Sequence, residues 1–123
     1  MVKPTEALEA LTLSPEERGA LADFLKKLKQ QEGDNLLEVV LFGSCARNEQ
    51  TPDSDIDVAV LLRNCEGLEH ERSIWCMAYD ILEASAFRIY ISASVITHDE
   101  LKGSIRPLFL SIADEGISLY ERV

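Results

Sequence analysis

The chain has 123 residues, 46% of them hydrophobic and 28% charged, which suits one packed domain and leaves too little chain for two. Its formal net charge is −10, from 22 acids against 12 Lys and Arg, and a surface of that sign repels phosphodiester backbones, so no nucleic acid is expected as a partner. No apolar run approaches the ~20 residues that cross a bilayer. The opening residues do not read as a signal segment, and the three cysteines, Cys45, Cys65 and Cys76, follow no zinc spacing. No membrane partner is therefore expected, and the location expected is cytoplasmic, with free thiols and Cys76 on a buried helix face.

Thr5 can cap a short helix over residues 6–11. Ser14-Pro15-Glu16-Glu17 is a stronger start, with serine as cap, proline at the first helical position and Glu17 completing a capping box. Leu21, Phe24, Leu25 and Leu28 then recur at helical spacing, acids lead, Lys26, Lys27 and Lys29 trail, and Gly33 is the stop. This helical segment, residues 1–33, is expected to pack on a sheet. Residues 36–42 (LLEVVLF) are short, apolar and β-branched in the middle, which predicts a buried strand. A loop of turn formers follows. In the next strand Ile56, Val58, Val60 and Leu62 share one face, and Asp55, Asp57, Ala59 and Leu61 share the other.

After a polar connection over residues 63–67, a long helix is expected over 68–85, with Ile74, Ala78, Ile81, Leu82 and Ser85 inward and Trp75 beside them. Residues 87–96 (FRIYISASVI) alternate as a third strand, with Phe87, Ile89, Ile91, Ala93 and Val95 on one side. Strand, helix, strand implies a crossover and a partly parallel sheet. Thr97-His98-Asp99-Glu100 opens a short helix, Pro107 starts another that Gly116 stops, and residues 117–120 close the chain as a brief strand. No repeat or linker divides the chain. The reading is one domain, residues 1–123, of the α/β (α+β) class, built on a small mixed sheet flanked by helices.

Chemistry concentrates at the two ends of the loop. Asp55 and Asp57, two apart on a strand, set two carboxylates on one face about 6 to 7 Å apart, a bracket that suits Mg²⁺ completed by water and substrate phosphate. At the other end Gly43 has no Cβ and lets the backbone approach a phosphate, the Ser44 hydroxyl and the amides after it can donate to phosphate oxygens, and Arg47 can add charge. A Gly-Ser turn alone and an Asp-x-Asp alone are each commonplace. Their joint spacing, Gly-Ser-x10-Asp-x-Asp between two buried strands, carries the signal. Elsewhere His70 and His98 read as exposed or capping residues, Cys45 has no histidine placed to activate it, and Trp75 and Met77 read as core or interface.

Gly43-Ser44, Ala46-Arg47 and Ser54-Asp55-Ile56-Asp57, continued by Val58-Ala59-Val60-Leu61, resemble the signature of the minimal nucleotidyltransferases of the DNA polymerase β superfamily, and the closing SIADEGISLYE resembles the tail of its small members. The resemblance spans roughly Leu36 to Glu121. It implies the nucleotidyltransferase fold, with Gly43, Ser44 and Arg47 binding the phosphates of ATP or another nucleoside triphosphate, and Asp55 and Asp57 as catalytic carboxylates holding Mg²⁺. It also implies transfer of a nucleoside monophosphate, usually AMP from ATP, to a hydroxyl. Members of this branch are often paired with a HEPN-domain protein as the antitoxin of a toxin–antitoxin pair, so a protein hydroxyl is the preferred acceptor, with the acceptor-binding half supplied by that partner or by a second copy in a homodimer.

One departure is visible. Active members of the superfamily usually supply a third carboxylate from a later strand, and residues 87–96 contain no Asp or Glu; Tyr90 or Ser92 stands in its place. A second reading is therefore a binding module that has lost catalysis, with the outward side of the Trp75 helix as its docking face. A third, an aminoglycoside-type transferase, lacks the extra domain that such enzymes carry.

Overall fold

The structure, a computed structural model, describes residues 13–43, 55–101 and 116–121. The expected helices over residues 6–11 and from Pro107 lie outside them. Ser14 Oγ accepts from the Glu17 N–H at 3.1 Å, and the Glu17 carboxylate accepts from the Ser14 N–H at 3.0 Å. These bonds satisfy two donors that a helix start leaves open. They begin α1, Pro15–Glu32, whose buried stripe is Leu21, Phe24, Leu25 and Leu28; Gly33, at φ 55°, ends it by donating its N–H to the Lys29 carbonyl. The helix is the one its capping residues predict.

A single 3-10 turn, Gly33–Asn35, leads into β1, Leu36–Phe42. β1 pairs antiparallel with β2, Ile56–Leu62, on one side and with β4, Ile117–Glu121, on the other. The helix α2, Leu68–Ala84, then carries the chain across to β3, Ile91–Thr97, which runs parallel to β2. A short helix α3, His98–Leu101, follows, with Thr97 Oγ1 accepting from the Glu100 N–H at 3.3 Å. The strand order is β3-β2-β1-β4. This is the mixed sheet flanked by helices that the strand, helix, strand pattern predicts, in an α+β domain.

Each face of the sheet carries its own apolar cluster. Phe24, Leu21 and Leu28 of α1 and Ile74 of α2 pack with Val39, Leu41, Val58 and Val60 on one face. Val40, Ala59, Leu61 and Ile96 form a smaller cluster on the other. The period of two therefore puts Asp57 on the second face, away from α1 and α2.

Three expectations need correction. β3 starts at Ile91, not at residue 87, because the end of α2 consumes the residues between. The Phe87 N–H reaches back to the Leu82 carbonyl at 2.8 Å and the Ala86 N–H to Glu83 at 3.0 Å, the paired bonds of a Schellman cap. Ala86 and Phe87 sit at φ 57° and 63°, and Phe87 is left 66% exposed instead of joining a strand face. Cys76 is exposed, since the buried stripe of α2 is Ile74, Met77, Ala78 and Ile81 and Cys76 falls between its rows.

His70, expected as an exposed or capping residue, joins the helices. Its Nδ1 accepts from the Glu66 N–H at 3.0 Å, which puts the ring proton on Nε2, 2.7 Å from Glu32 Oε1. Burial pushes the Glu32 carboxyl up, but hydrogen bonds from Gln31, Asn35 and His70 outweigh it and leave the group below its ordinary value. Glu38 behaves oppositely. Burial raises it, a Ser118 hydrogen bond offsets part of the rise, and Glu121, its register partner on β4, adds repulsion.

Three outcomes are expected. Glycine accepts left-handed φ without the Cβ clash, so Ala86→Gly should raise stability by about 1 kcal/mol in urea unfolding. Because Glu38 is raised from 4.5, the stability it contributes is present at low pH and lost as pH rises through its folded-state value. Glu38→Gln should therefore raise the urea midpoint at pH 7, and the gain should vanish once Glu38 is protonated in both states. Glu32, which is lowered, contributes stability above its unfolded value, and Glu32→Gln should lower the midpoint at pH 7.

Candidate functional site

The antiparallel pairing of β1 with β2 decides what meets what. Phe42, the last residue of β1, is the register partner of Asp57, so the residue after Phe42 lies against the Asp57 side chain. That residue is Gly43, at φ 75°. A methyl group added at Gly43 would sit 2.6 Å from Asp57 Oδ2 and 3.4 Å from its Cγ, closer than non-bonded atoms tolerate. Two independent constraints, left-handed backbone and the carboxylate, thus select glycine here. The two ends of the loop, 12 residues apart in Gly43 and Asp55 by subtraction of their numbers, are brought to one corner of the sheet.

Asp57 is half-buried and Asp55 is exposed at the strand's mouth. Both offer hard oxygen donors of the kind that divalent cations take. Among the described residues no group of three or more His, Cys, Asp or Glu side chains converges as a metal site. Ser44 and Arg47, the expected phosphate-binding partners of Gly43, lie outside the described residues, as do Cys45 and Ser54.

β3 completes the corner. Its parallel register sets Ser92 directly beside Asp57, on the same face of the sheet and one strand spacing, about 5 Å, away. The Tyr90 carbonyl accepts the Ile56 N–H at 2.9 Å and extends the β2–β3 pairing past the strand end. Of the two residues expected at the third position, Ser92 is therefore the one aligned with Asp57, and Tyr90 is the one aligned with Asp55.

A groove of about 530 Å³ opens next to this corner, lined among others by Trp75 and Tyr79 of α2 and by Tyr90 and Ser92. Helical spacing did not single it out: Trp75 reads as core or interface beside the inward stripe, and Tyr79 carries no reading of its own. The signal available was the wrong period: Trp75 and Tyr79 are four apart from each other but out of phase with the Ile74, Ala78, Ile81 stripe.

Comparison with known proteins follows the same stretch of chain. The family model described as nucleotidyltransferase domain matches residues 21–110. A Methanocaldococcus jannaschii protein, proposed by its name to be a protein adenylyltransferase, is 33% identical over 105 residues, covering 83% of this chain and 70% of its own. Among solved structures, a toxin–antitoxin crystallised with AMP-PNP aligns with TM-score 0.55 at 22% identity, over 80% of this chain and 72% of that one. A Sulfolobus solfataricus protein, proposed to be a nucleotidyltransferase, aligns with TM-score 0.53 at 17% identity over 99% of this chain and 91% of its own. These two likenesses establish the fold, and the family match and the 33% relative go further. The match takes in the whole of β1, β2, α2 and β3, with the Gly43–Asp57 corner inside it, and the chain belongs to the nucleotidyltransferase domain family.

Proposed function

We propose that the protein is a Mg²⁺-dependent adenylyltransferase that acts as the antitoxin of a toxin–antitoxin pair, moving AMP from ATP to a hydroxyl group of its partner, a HEPN-domain toxin. The observation that carries the reading is the contact of Gly43 with Asp57: a residue with no side chain, held at the end of one strand, facing a carboxylate on the next. Family membership, the naming of a relative after protein adenylylation and the AMP-PNP complex of a structural neighbour support it.

In this reading Asp55 and Asp57 hold the metal ions, and Gly43, Ser44 and Arg47 hold the triphosphate. Two carboxylates with further room for phosphate and water suit the donor set of Mg²⁺. When bound, the metal supplies Lewis acidity toward the acceptor hydroxyl and the phosphate oxygens. Gly43 lets its backbone come close to the nucleotide where any side chain would displace the Asp57 carboxylate. The acceptor oxygen bonds to the α-phosphorus as the bond from that phosphorus to the bridging oxygen breaks; pyrophosphate leaves with the electron pair, and the hydroxyl proton passes to solvent. The whole chain, residues 1–123, acts as one domain, and the free thiols of Cys65 and Cys76 fit the reducing cytoplasm.

A second reading has its own observation. Ser92, not a carboxylate, is aligned with Asp57, and a member short of one metal ligand would bind nucleotide and partner with little or no transfer. The two readings predict different results with α-labelled ATP, Mg²⁺ and the product of the neighbouring gene.

The first expects label on that product, abolished by Asp57→Ala and cut at least about a hundredfold by Gly43→Ala, since misplacing a reacting group by about 1 Å has that cost. Transfer that survives Asp57→Ala overturns the mechanism. Installing the absent acid tests the second: Ser92→Asp should raise the rate of transfer if the site is short of a ligand, and an unchanged or lower rate, with Mg-ATP binding intact, would show that nothing is lacking at that position.

A further inference from the structure

We propose that the outer edge of β3 is a docking strand on which an extended, basic segment of a partner polypeptide adds itself to the sheet. β3 ends the strand order. The Tyr90 carbonyl points toward β2, where it meets the Ile56 N–H, so by the period of two Ser92 and Ser94 also turn their backbone groups inward, while Ile91, Ala93 and Val95 turn theirs outward. The Ala93 carbonyl does face out, since it accepts the Trp75 Nε1–H at 3.2 Å. The outward groups of Ile91 and Val95 have no partner among the described residues.

Edges of this kind are normally guarded by a charge, a proline or a bulge. β3 reads ISASVIT, with no charged residue and no proline, and its pairing with β2 is unbroken over all its residues. β3 itself carries none of these guards, and among the described residues the Trp75 indole on the Ala93 carbonyl is what meets its outward edge. Beside it lies the groove lined by Trp75, Tyr79 and Tyr90, which are 41%, 50% and 44% exposed. Rigid aromatics around a cleft are what binding hot spots are made of. An added strand would pair with β3 through its backbone and drop alternate side chains into this cleft, the mode by which sheet edges capture peptides.

Charge selects the occupant. Glu69, Asp80 and Glu83 are exposed on α2 one helical turn from Arg72, Cys76 and Tyr79, the groove-lining residues. Arg72 opposes them, but the stripe still sums to −2, from three acids against one arginine. A second copy would bring another −10 against this surface, whereas a basic segment is drawn to it.

Register then links edge and site. A residue added opposite Ser92 lies two strand spacings, about 10 Å, from Asp57 and on the same face, so a long hydroxyl-bearing side chain there leans toward the carboxylates. This last link rests on the transferase reading; the edge pairing does not.

Trp75 is the single tryptophan of the chain, so its emission reports on the groove. The full chain without nucleotide would be titrated with a short peptide alternating lysine with valine and tyrosine. Saturable change in Trp75 emission is expected, weakened about tenfold or more when the peptide amides facing β3 are N-methylated, as several lost hydrogen bonds require. Glutamate in place of lysine should weaken it too, and so should Tyr79→Ala, with no change in urea midpoint. Emission that stays constant, equal affinity of the N-methylated or the acidic peptide, or emission that changes with protein concentration alone as the chain dimerises would each overturn the proposal. Label transfer without edge binding removes the docking strand and leaves the transferase; edge binding without transfer does the reverse.

Discussion

The approach of Gly43 to Asp57 is the constraint on which the candidate site depends. Any side chain at residue 43 would have to displace the Asp57 carboxylate from its present place and would sit at a left-handed φ, so the backbone there and the side chain at residue 57 are positioned together. Antiparallel pairing supplies the coarse alignment, through Phe42 and Asp57. Left-handed backbone at Gly43, at φ 75°, then fixes the direction in which β1 ends beside the acid. A site built this way needs few residues, because the sheet that would be needed for stability also does the positioning.

The rest of the fold serves that sheet asymmetrically. α1 and α2 bury one face of it under a large cluster, and the acid pair is carried on the face where, among the described residues, Val40, Ala59, Leu61 and Ile96 form a smaller cluster. The helices are in turn tied to one another away from the acids, by the His70–Glu32 bond at the end of α1 and the start of α2. Lys29 lies 4.8 Å over the Tyr120 ring and couples α1 to β4 as well. Packing energy and chemistry therefore occupy opposite sides of one sheet, and a substitution on one side has little direct contact with the other.

Much of this was legible in the residues themselves. The capping box at Ser14 and Glu17, the apolar run of β1 and the strict alternation of β2 are local signals, and each element begins and ends where its residues say. What was not legible depends on tertiary context. The end of α2 carries no local stop signal, because Ala86 and Phe87 are poor candidates for a left-handed cap, a place usually taken by glycine, and the alternation from Phe87 onward favours a strand. His70 looked isolated because Glu32 is 38 residues away in sequence. Cys76 and Trp75 stand next to a helix stripe whose phase only the neighbouring strands fix. The alignment of Ser92 with Asp57 could be guessed from the two strands but is set by the crossover between them.

That crossover has a bearing on how such chains can vary. The Schellman cap at Leu82 to Phe87 fixes how many residues pass between the end of α2 and the first paired residue of β3, and side chains on a strand alternate between faces with each step. The cap thus acts as a counter. Lengthening it by one residue, with β3 slipping one place along β2, would turn Ser92 toward the helices and bring Ile91, a core residue, to stand next to the acid.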